Sequence, residues 1–306
     1  MNPSSDDGVV DELEIVANLE SECFMNLSEL RYLDVQAKML PSDFTDYLPN
    51  LRWLRWKSGN SECLPKFCVE NMVILELLTP VKDDWGGLRH LVKMVSKLKV
   101  LKLVGKFLIE YPDFPRSRSL EILYLQDFGL RLSHKDLDIG NLRNLKELHL
   151  LYCEVGVIRG GTIGMVKGLQ ELNITNLRFE RSLRAVLIGD LKFLEILRVD
   201  VITDVGLRSV YENLLLDTKL PRSLKELETT SPVANLVELV ELEKLMVRYF
   251  EYGFEIPPAD SSDMRWRLSK SKSLTLEETK LTTPPNTSCR RSLLNVASIV
   301  TDHPPH

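Results

Sequence analysis

The histidine and cysteine side chains are the first place to look for catalysis or metal binding, and their positions favour neither. The sequence has five of each, and no histidine has the spacing of a metal-ligand motif. Cys63 and Cys68 have no second pair nearby that could complete a zinc site. The glycine run at Gly160-Gly161-Thr-Ile-Gly164 lacks the lysine of a phosphate-binding loop, and no Gly-x-Ser-x-Gly elbow occurs. We therefore predict no catalytic residues, no metal site, no cofactor and no small-molecule substrate, so the chain is not an enzyme.

A second set of side chains is suited to binding a protein. They lie within or directly before pairs of aliphatic residues, as in Leu148-His149-Leu150. Residues i and i+2 of a strand share a face, so the residue between them points the other way. Trp, Tyr and Arg are frequent anchors of protein interfaces. For any single position the alternative is an ordinary solvated side chain. The predicted protein-binding residues are Trp53, Arg55, Glu76, Lys102, Tyr124, His149, Asn173 and Arg198.

The segments that carry these residues belong to a repeat. Apolar residues recur at spacings of 3, 3 and 2, as in Leu142-Leu145-Leu148-Leu150. A helix would continue at 3 or 4, whereas the final step of 2 is typical of a strand. Most intervals between copies fall within the 20–29 residues of leucine-rich repeats. Each predicted strand begins its inward pair at position 33, 54, 75, 101, 123, 148, 172, 197, 227, 245 or 274.

The repeat predicts an α/β fold, a leucine-rich-repeat solenoid. One repeat buries too little apolar surface to offset its backbone entropy, so neighbours must stack. A curved parallel sheet would line the concave side, with loops and short helices on the convex side, including a helix over residues 88–98. The intervals of 30 and 18 around Leu227 leave two alternatives, a misassigned copy or a real break near residues 229–232. Trp56 occupies an inward position and is predicted to lie in the core.

Three regions are predicted along the chain. Residues 23–279 form the leucine-rich-repeat domain of about 10–11 repeats. Residues 1–22 are acidic and form either a solvated N-terminal cap or an interaction arm. Residues 280–306 carry prolines and no repeat, which predicts a disordered C-terminal tail.

Net charge and cysteine content indicate which partners and which cellular compartment to expect. Lys+Arg 39 against Asp+Glu 44 gives a net charge of −5, so there is no basic excess for nucleic-acid binding. No signal peptide and no apolar run long enough for a membrane span is present. The cysteines are odd in number and irregularly placed, which favours a reducing compartment, the cytoplasm or also the nucleus.

One stretch resembles a known family. Leu48-Pro-Asn-Leu-Arg-Trp-Leu-Arg-Trp56 and the segments after it are similar to the leucine-rich-repeat region of plant intracellular disease-resistance receptors, in the branch that begins with a TIR domain. The similarity covers roughly residues 24–277 and is most specific over 48–125. The segments that carry it after Trp56 are Leu64-Pro65, Asn71-Met-Val-Ile-Leu-Glu-Leu77, Asp84-Trp-Gly-Gly87, Lys97-Leu-Lys-Val-Leu-Lys-Leu103 and Pro112-Asp-Phe114.

The resemblance implies the sensing part of such a receptor, without its TIR and nucleotide-binding domains. The implied partner is a protein: a pathogen effector, a guarded host protein or the receptor's own nucleotide-binding domain. In the family, the turn after each strand often holds Asn or Cys, and here Cys153 alone fits. The implied function is non-enzymatic protein recognition in plant innate immunity.

An intracellular scaffold or ubiquitin-ligase substrate adaptor is the alternative function. Such an adaptor needs a helical docking module of about 45 residues beside its repeats. The residues before Cys23 are too few and too acidic for that module, which favours the recognition role.

Overall fold

The computed structural model describes residues 19–37, 40–41, 43–57, 71–78, 97–105, 108–109, 118–127, 129–130, 139–153, 160–175, 188–200, 219–230, 238–248, 273–277 and 297–300. The described strands are β1 (Tyr32–Gln36), β2 (Trp53–Lys57), β3 (Ile74–Leu78), β4 (Val100–Val104), β5 (Leu108–Ile109), β6 (Ile122–Gln126), β7 (Gly129–Leu130), β8 (Glu147–Leu151), β9 (Glu171–Thr175), β10 (Ile196–Asp200), β11 (Glu226–Thr229), β12 (Lys244–Arg248), β13 (Ser273–Glu277) and β14 (Ala297–Val300). Twelve of them form the main sheet, in the order β1-β2-β3-β4-β6-β8-β9-β10-β11-β12-β13-β14, and β5 and β7 form a separate two-stranded sheet.

Every described strand pair in the main sheet is parallel and keeps one register. Leu148 of β8 has Leu123 and Leu172 as its Cα partners on the two neighbouring strands. The same leucine position pairs with its counterpart from Leu33 through to Leu274. The eleven strands predicted from the leucine spacing are confirmed, and the fold is a leucine-rich-repeat solenoid.

Alternation along each strand separates the core from the solvent. In β3, β4, β6, β8, β9 and β10 the second and fourth residues are buried while the first, third and fifth are partly exposed. Successive strand side chains point to opposite faces, so the two inward residues of every repeat pack against those of the next repeat. The buried set is almost wholly aliphatic, as the low aromatic content requires.

Trp56 confirms its predicted position in the core, and Cys153 is a second buried residue with polar partners. Trp56 is fully buried at an inward position of β2, and its indole Nε1 donates to the carbonyl oxygen of Ala37 over 3.0 Å. Cys153, just after β8, is also buried, and its Sγ lies 3.4 Å from the carbonyl oxygens of Leu125 and Leu151. The thiol thus lies within hydrogen-bonding distance of two carbonyl oxygens near the ends of β6 and β8.

The described parts of the connections are mostly irregular. They include 3₁₀ turns at Ser21–Phe24, Phe44–Tyr47 and Ile188–Asp190 and one short helix, α1 (Gly160–Met165). Near the first strand, Phe24 and Phe44 pack with their ring centroids 5.7 Å apart. Nearly all of the helix predicted over residues 88–98 lies outside the described residues. Among the described residues, no helix has the length and apolar character needed to cross a bilayer.

The chain leaves three neighbouring strands in a left-handed conformation. Gly105, Asp127 and Tyr152 are the first residues after β4, β6 and β8, and their φ angles are 136°, 56° and 54°. Glycine adopts such angles without steric cost, and Asp tolerates them better than most residues. Asp127 and Tyr152 therefore leave their strands at nearly the same φ, whereas Gly105 leaves its strand at a φ that suits glycine.

The irregular spacing around Leu227 does not interrupt the sheet. β11 pairs in register with both β10 and β12, so neither a misassigned copy nor a break in the sheet is found. The strand is one residue shorter than most of its neighbours, and Thr229 is buried at the position where other repeats place an aliphatic side chain. The change in interval is absorbed by the connections between strands.

One segment departs from the disordered tail predicted over 280–306. Ala297–Val300 forms β14 and pairs in parallel with β13. The prediction is wrong for these four residues, because two of them, Ile299 and Val300, are β-branched and favour strands, and because β13 offers an edge to pair with. The rest of 280–306 and residues 1–18 lie outside the described residues.

Gly189 gives a first testable prediction about repeat stacking. A Cβ at this position would lie 2.5 Å from the carbonyl oxygen of Lys219 in the next repeat, whereas a Cβ at Gly168 would meet its nearest atoms at 3.7 Å. We expect Gly189→Ala to lower the free energy of unfolding by about 1–3 kcal/mol, because the backbone of one repeat must shift. Gly168→Ala should leave it unchanged or raise it by up to about 1 kcal/mol. Urea denaturation of both variants checks this, and equal stabilities would contradict the close stacking.

Candidate functional site

The exposed side of the main sheet, called the open face here, consists of the first, third and fifth residues of each strand. Because neighbouring strands lie about 4.8 Å apart, equivalent positions form continuous rows. Trp53 lies in the row of first residues, and the other seven predicted binding residues occupy the row of third residues on successive strands. The structure therefore brings all eight predicted residues onto one surface.

The first three strands carry an aromatic and charged cluster. The rings of Tyr32 and Trp53 pack with centroids 4.5 Å apart, and both side chains remain more than one-third exposed. Trp53 Nε1 donates to Glu76 Oε1 over 3.1 Å. Arg55 lies between Asp34 and Glu76, at 3.5 and 3.7 Å from their carboxylate oxygens. This arrangement holds the two rings and one guanidinium in fixed positions that a partner can reach.

Tyr32 also keeps its proton at neutral pH. Its hydroxyl donates to Asp34 Oδ2 over 3.1 Å. Partial loss of solvent around the phenol, and next the hydrogen bond to Asp34, raise the pKa of Tyr32. The first strand therefore presents a neutral phenol.

The middle strands surround polar groups with aliphatic ones. Lys102 Nζ lies 4.6 Å from the centre of the Tyr124 ring, a cation–π distance. The Tyr124 ring packs on His149 with centroids 5.4 Å apart, and its hydroxyl donates to Gln126 Oε1 over 2.9 Å. Burial, followed by the charge of Asp127, raises the pKa of Tyr124. Aliphatic residues flank this line on both sides, namely Ile74, Val100 and Ile122 in the first row and Leu78 and Val104 in the fifth.

The later strands are dominated by carboxylates around one arginine. Arg198 contacts Glu171, and its guanidinium also lies 3.5 Å from Glu226 and 3.7 Å from Glu228. Lys244 lies 3.6 Å from Glu226. The open face thus changes from aromatic and aliphatic at its beginning to acidic toward its end.

Asn173 and His149 mark the change between the two halves. Asn173 accepts a hydrogen bond from Thr175 Oγ1 over 2.9 Å. His149 Nε2 lies 3.6 Å from Glu147 Oε2, and with Glu171 these residues place three potential ligand atoms within 4.8 Å of one another. Among the described residues, this is the group that could hold a metal ion.

The fifth-residue row was missed in the sequence analysis. It contributes Gln36, Lys57, Leu78, Val104, Gln126, Leu151, Thr175 and Asp200. The signal was available, because each of these residues directly follows the second inward residue of its strand and must point outward. Adding this row widens the candidate surface from two rows to three.

A ladder of charges runs along the edge of the open face where the strands begin. Lys99 Nζ lies 2.8 Å from Glu121 Oε1, and Lys146 Nζ lies 2.7 Å from Glu121 Oε2. Further along, Lys225 Nζ lies 2.8 Å from Glu195 Oε2, and this hydrogen bond raises the pKa of Lys225. Each charge links one repeat to the next.

Glu121 gives a prediction about pH. The hydrogen bonds from Lys146 and then Lys99 lower its pKa from 4.5 to about 2. A carboxyl whose pKa is lower in the folded state contributes stability above its unfolded pKa and loses it as pH falls through the folded value. We expect wild type to exceed Glu121→Gln in stability above pH 5, with the difference shrinking between pH 4.5 and pH 2. Denaturant melts across this range measure the difference.

Salt provides the control for that measurement. The ion pairs of Glu121 lie at the solvent-facing edge, so the difference should also shrink in high salt. A difference that stays constant in both pH and salt would contradict an electrostatic origin.

The chain has distant likenesses among solved structures. No protein-family model matches the chain. An internalin of Listeria monocytogenes is 15% identical, with a TM-score of 0.41, over 93% of this chain and 90% of that one. A leucine-rich-repeat protein of Leptospira interrogans is 16% identical, with a TM-score of 0.37, over 92% of this chain and 99% of that one. The plant peptide hormone receptor RGFR1, solved in complex with RGF2, is 20% identical, with a TM-score of 0.49, over 87% of this chain and 46% of that one.

These likenesses concern the fold, since function depends on the site rather than on the fold. The open face is the candidate site. Its aromatic rings, cations and carboxylates lie in rows along the sheet, and Trp, Tyr and Arg are residue types enriched in protein interfaces.

Proposed function

We propose that the chain is a non-enzymatic recognition module of plant innate immunity, whose open face contacts a pathogen effector, a guarded host protein or a receptor nucleotide-binding domain. The observation that carries the recognition role is the open face itself. It carries Trp53 in its row of first residues and Arg55 and Tyr124 in its row of third residues, while the opposite face is buried and mostly aliphatic.

The residue types of the open face support a protein partner. Trp, Tyr and Arg are the usual hot-spot residues of protein interfaces, where they are surrounded by weaker contacts that exclude water. Here they are held by stacking and by ion pairs to Asp34 and Glu76. These side chains therefore lose less conformational entropy when a partner binds. The immune role is supported by the sequence resemblance over residues 48–125, and the proposed location is the cytoplasm or nucleus.

Binding measurements with variants test this proposal. A partner is captured from pathogen-challenged leaf tissue with the wild-type chain, identified, purified and titrated against Trp53→Ala, Arg55→Glu and Tyr124→Ala. Removing one hot spot should weaken binding at least about tenfold. The matched control is Phe193→Ala, which removes an aromatic side chain that is 63% exposed but lies in the turn before β10 rather than on the open face.

Two results would overturn the proposal. If the three variants and Phe193→Ala bind the partner equally well, the open face is not the binding surface. If the captured partner is neither a pathogen protein nor a component of plant defence, the immune role is wrong even where the open face binds. Capture of a ubiquitin-ligase core subunit would instead support the adaptor alternative.

A further inference from the structure

Three side chains with metal-binding chemistry meet where β8 and β9 pair. Glu147 and His149 are two residues apart on β8 and therefore share the open face, and Glu171 on β9 is the Cα partner of Glu147. Their ligand atoms lie within 4.8 Å of one another. One imidazole nitrogen and two carboxylate oxygens are a donor set that zinc accepts, and three protein ligands leave a fourth position open.

Two of the three side chains are mostly shielded from solvent, whereas that of Glu147 is 39% exposed. The side chain of His149 is 14% exposed and that of Glu171 is 19% exposed. The Tyr124 ring packs against the imidazole, and Arg198 donates to Glu171. Residues that contact metal ligands and fix their orientation raise metal affinity, because the ligands then lose less conformational freedom on binding.

Two carboxylates face each other at this point, and one of them already has a cationic partner, Arg198. Glu147 and Glu171 lie directly opposite each other on adjacent parallel strands, and like charges in such positions repel. His149 Nε2 faces Glu147 at 3.6 Å, where a neutral imidazole can act as a ligand. Arg198 offsets part of the charge of Glu171, so the carboxylate that remains to attract a divalent ion is chiefly Glu147, whose charge the ion would share with Glu171.

We propose that Glu147, His149 and Glu171 bind one divalent ion of the zinc class on the open face. The two glutamates each supply a carboxylate oxygen and His149 supplies Nε2. Tyr124 and Arg198 act as positioning residues. A nitrogen or oxygen ligand lies about 2.0–2.2 Å from zinc, so two ligands of one ion are at most about 4.4 Å apart. Binding would therefore draw the three ligand atoms together from their present separations of up to 4.8 Å.

The test uses the full chain, stripped with a chelator and titrated calorimetrically with ZnCl₂ in the absence of any partner. We expect one ion per chain. His149→Ala and Glu147→Gln should each weaken binding at least about tenfold, because each removes one ligand. Glu226→Gln is the matched control, since it removes a carboxylate that contacts Arg198 but lies outside the three ligands, and it should bind Zn²⁺ like wild type.

Three results would overturn the inference. They are the absence of a bound ion, an unchanged affinity in His149→Ala and Glu147→Gln, or an equal loss in Glu226→Gln, which would mean general attraction to an acidic surface. Circular dichroism confirms that each variant is folded. Should His149→Ala fail to fold, thermal melts of wild type and Glu147→Gln with and without Zn²⁺ decide, since binding to the folded state raises the melting temperature of wild type alone.

Discussion

Replacing Trp56 with alanine is expected to lower the free energy of unfolding by about 3–5 kcal/mol. Trp56 heads the largest fully buried side chains and fills an inward position that most other repeats give to leucine or another aliphatic. Truncation leaves a cavity between adjacent repeats that their regular stacking prevents from closing. It also removes the donor to the carbonyl oxygen of Ala37, and an unpaired buried acceptor adds its own cost.

Two companion variants separate the causes of this loss. One tests the hydrogen bond and the other tests the burial of the side chain. Trp56→Phe keeps most of the apolar volume and loses the donor, so we expect a loss of about 1–2 kcal/mol. Trp53→Ala removes an indole from the same strand, but from the open face, and should cost about 1 kcal/mol. Urea denaturation measures all three. If Trp53→Ala and Trp56→Ala were equally unstable, the alternation of buried and exposed residues along β2 would be wrong.

Trp56 also shows why so much of the fold was predictable. The sequence spacing alone identified its inward position and the inward leucines of eleven strands, and the structure places all of these leucines in register. In a solenoid each strand packs mainly on the next, so the pattern within one repeat specifies its neighbours. Contacts between repeats that are not neighbours are therefore few, and the pattern within each repeat is enough to predict the fold.

The departures lie where the local pattern is weakest. Thr229 replaces the aliphatic residue in β11, so the copy around Leu227 was doubtful on sequence alone although its strand pairs normally. β14 carries Ala297 where every other copy has leucine, so the spacing did not mark it as a repeat. In both cases the segment pairs with a neighbouring strand although its sequence departs from the repeat pattern. The sequence of one repeat does not show that a neighbouring strand is available to pair with it.

The candidate site was predictable in its positions but not in its contacts. Period-2 alternation placed Trp53, Lys102 and Asn173 on one face, and the structure agrees. It could not show that Lys102 lies over the Tyr124 ring, because the contacts of outward side chains depend on rotamers and on diagonal distances between strands. The same holds for Glu171, which approaches His149 only across the β8–β9 pairing and is 22 residues away in sequence. What the eight residues bind stays a prediction.

Reversing the charge of Arg198 is the second substitution with a large expected effect. Arg198 contacts Glu171, and Glu226 and Glu228 lie within 3.7 Å of its guanidinium, so Arg198→Glu would gather four carboxylates on three adjacent strands. Its side chain is 29% exposed, and the loss of a partly buried pair leaves charges without their counterion. We expect the free energy of unfolding to fall by about 2–4 kcal/mol. Urea denaturation with a chelator present, so that no metal offsets the repulsion, measures the change.

A matched arginine and a compensating substitution make this result specific. Arg222→Glu reverses a charge that is 73% exposed and pairs with Glu238 over 3.8 Å, so it should cost about 0.5 kcal/mol or less. Adding Glu171→Arg to Arg198→Glu restores an opposite-charge pair and should recover part of the loss, a coupling that a double-mutant cycle isolates. High salt should also recover part of it, because the repulsion is screened. Equal losses in Arg198→Glu and Arg222→Glu would show that the carboxylates around Arg198 do not depend on it.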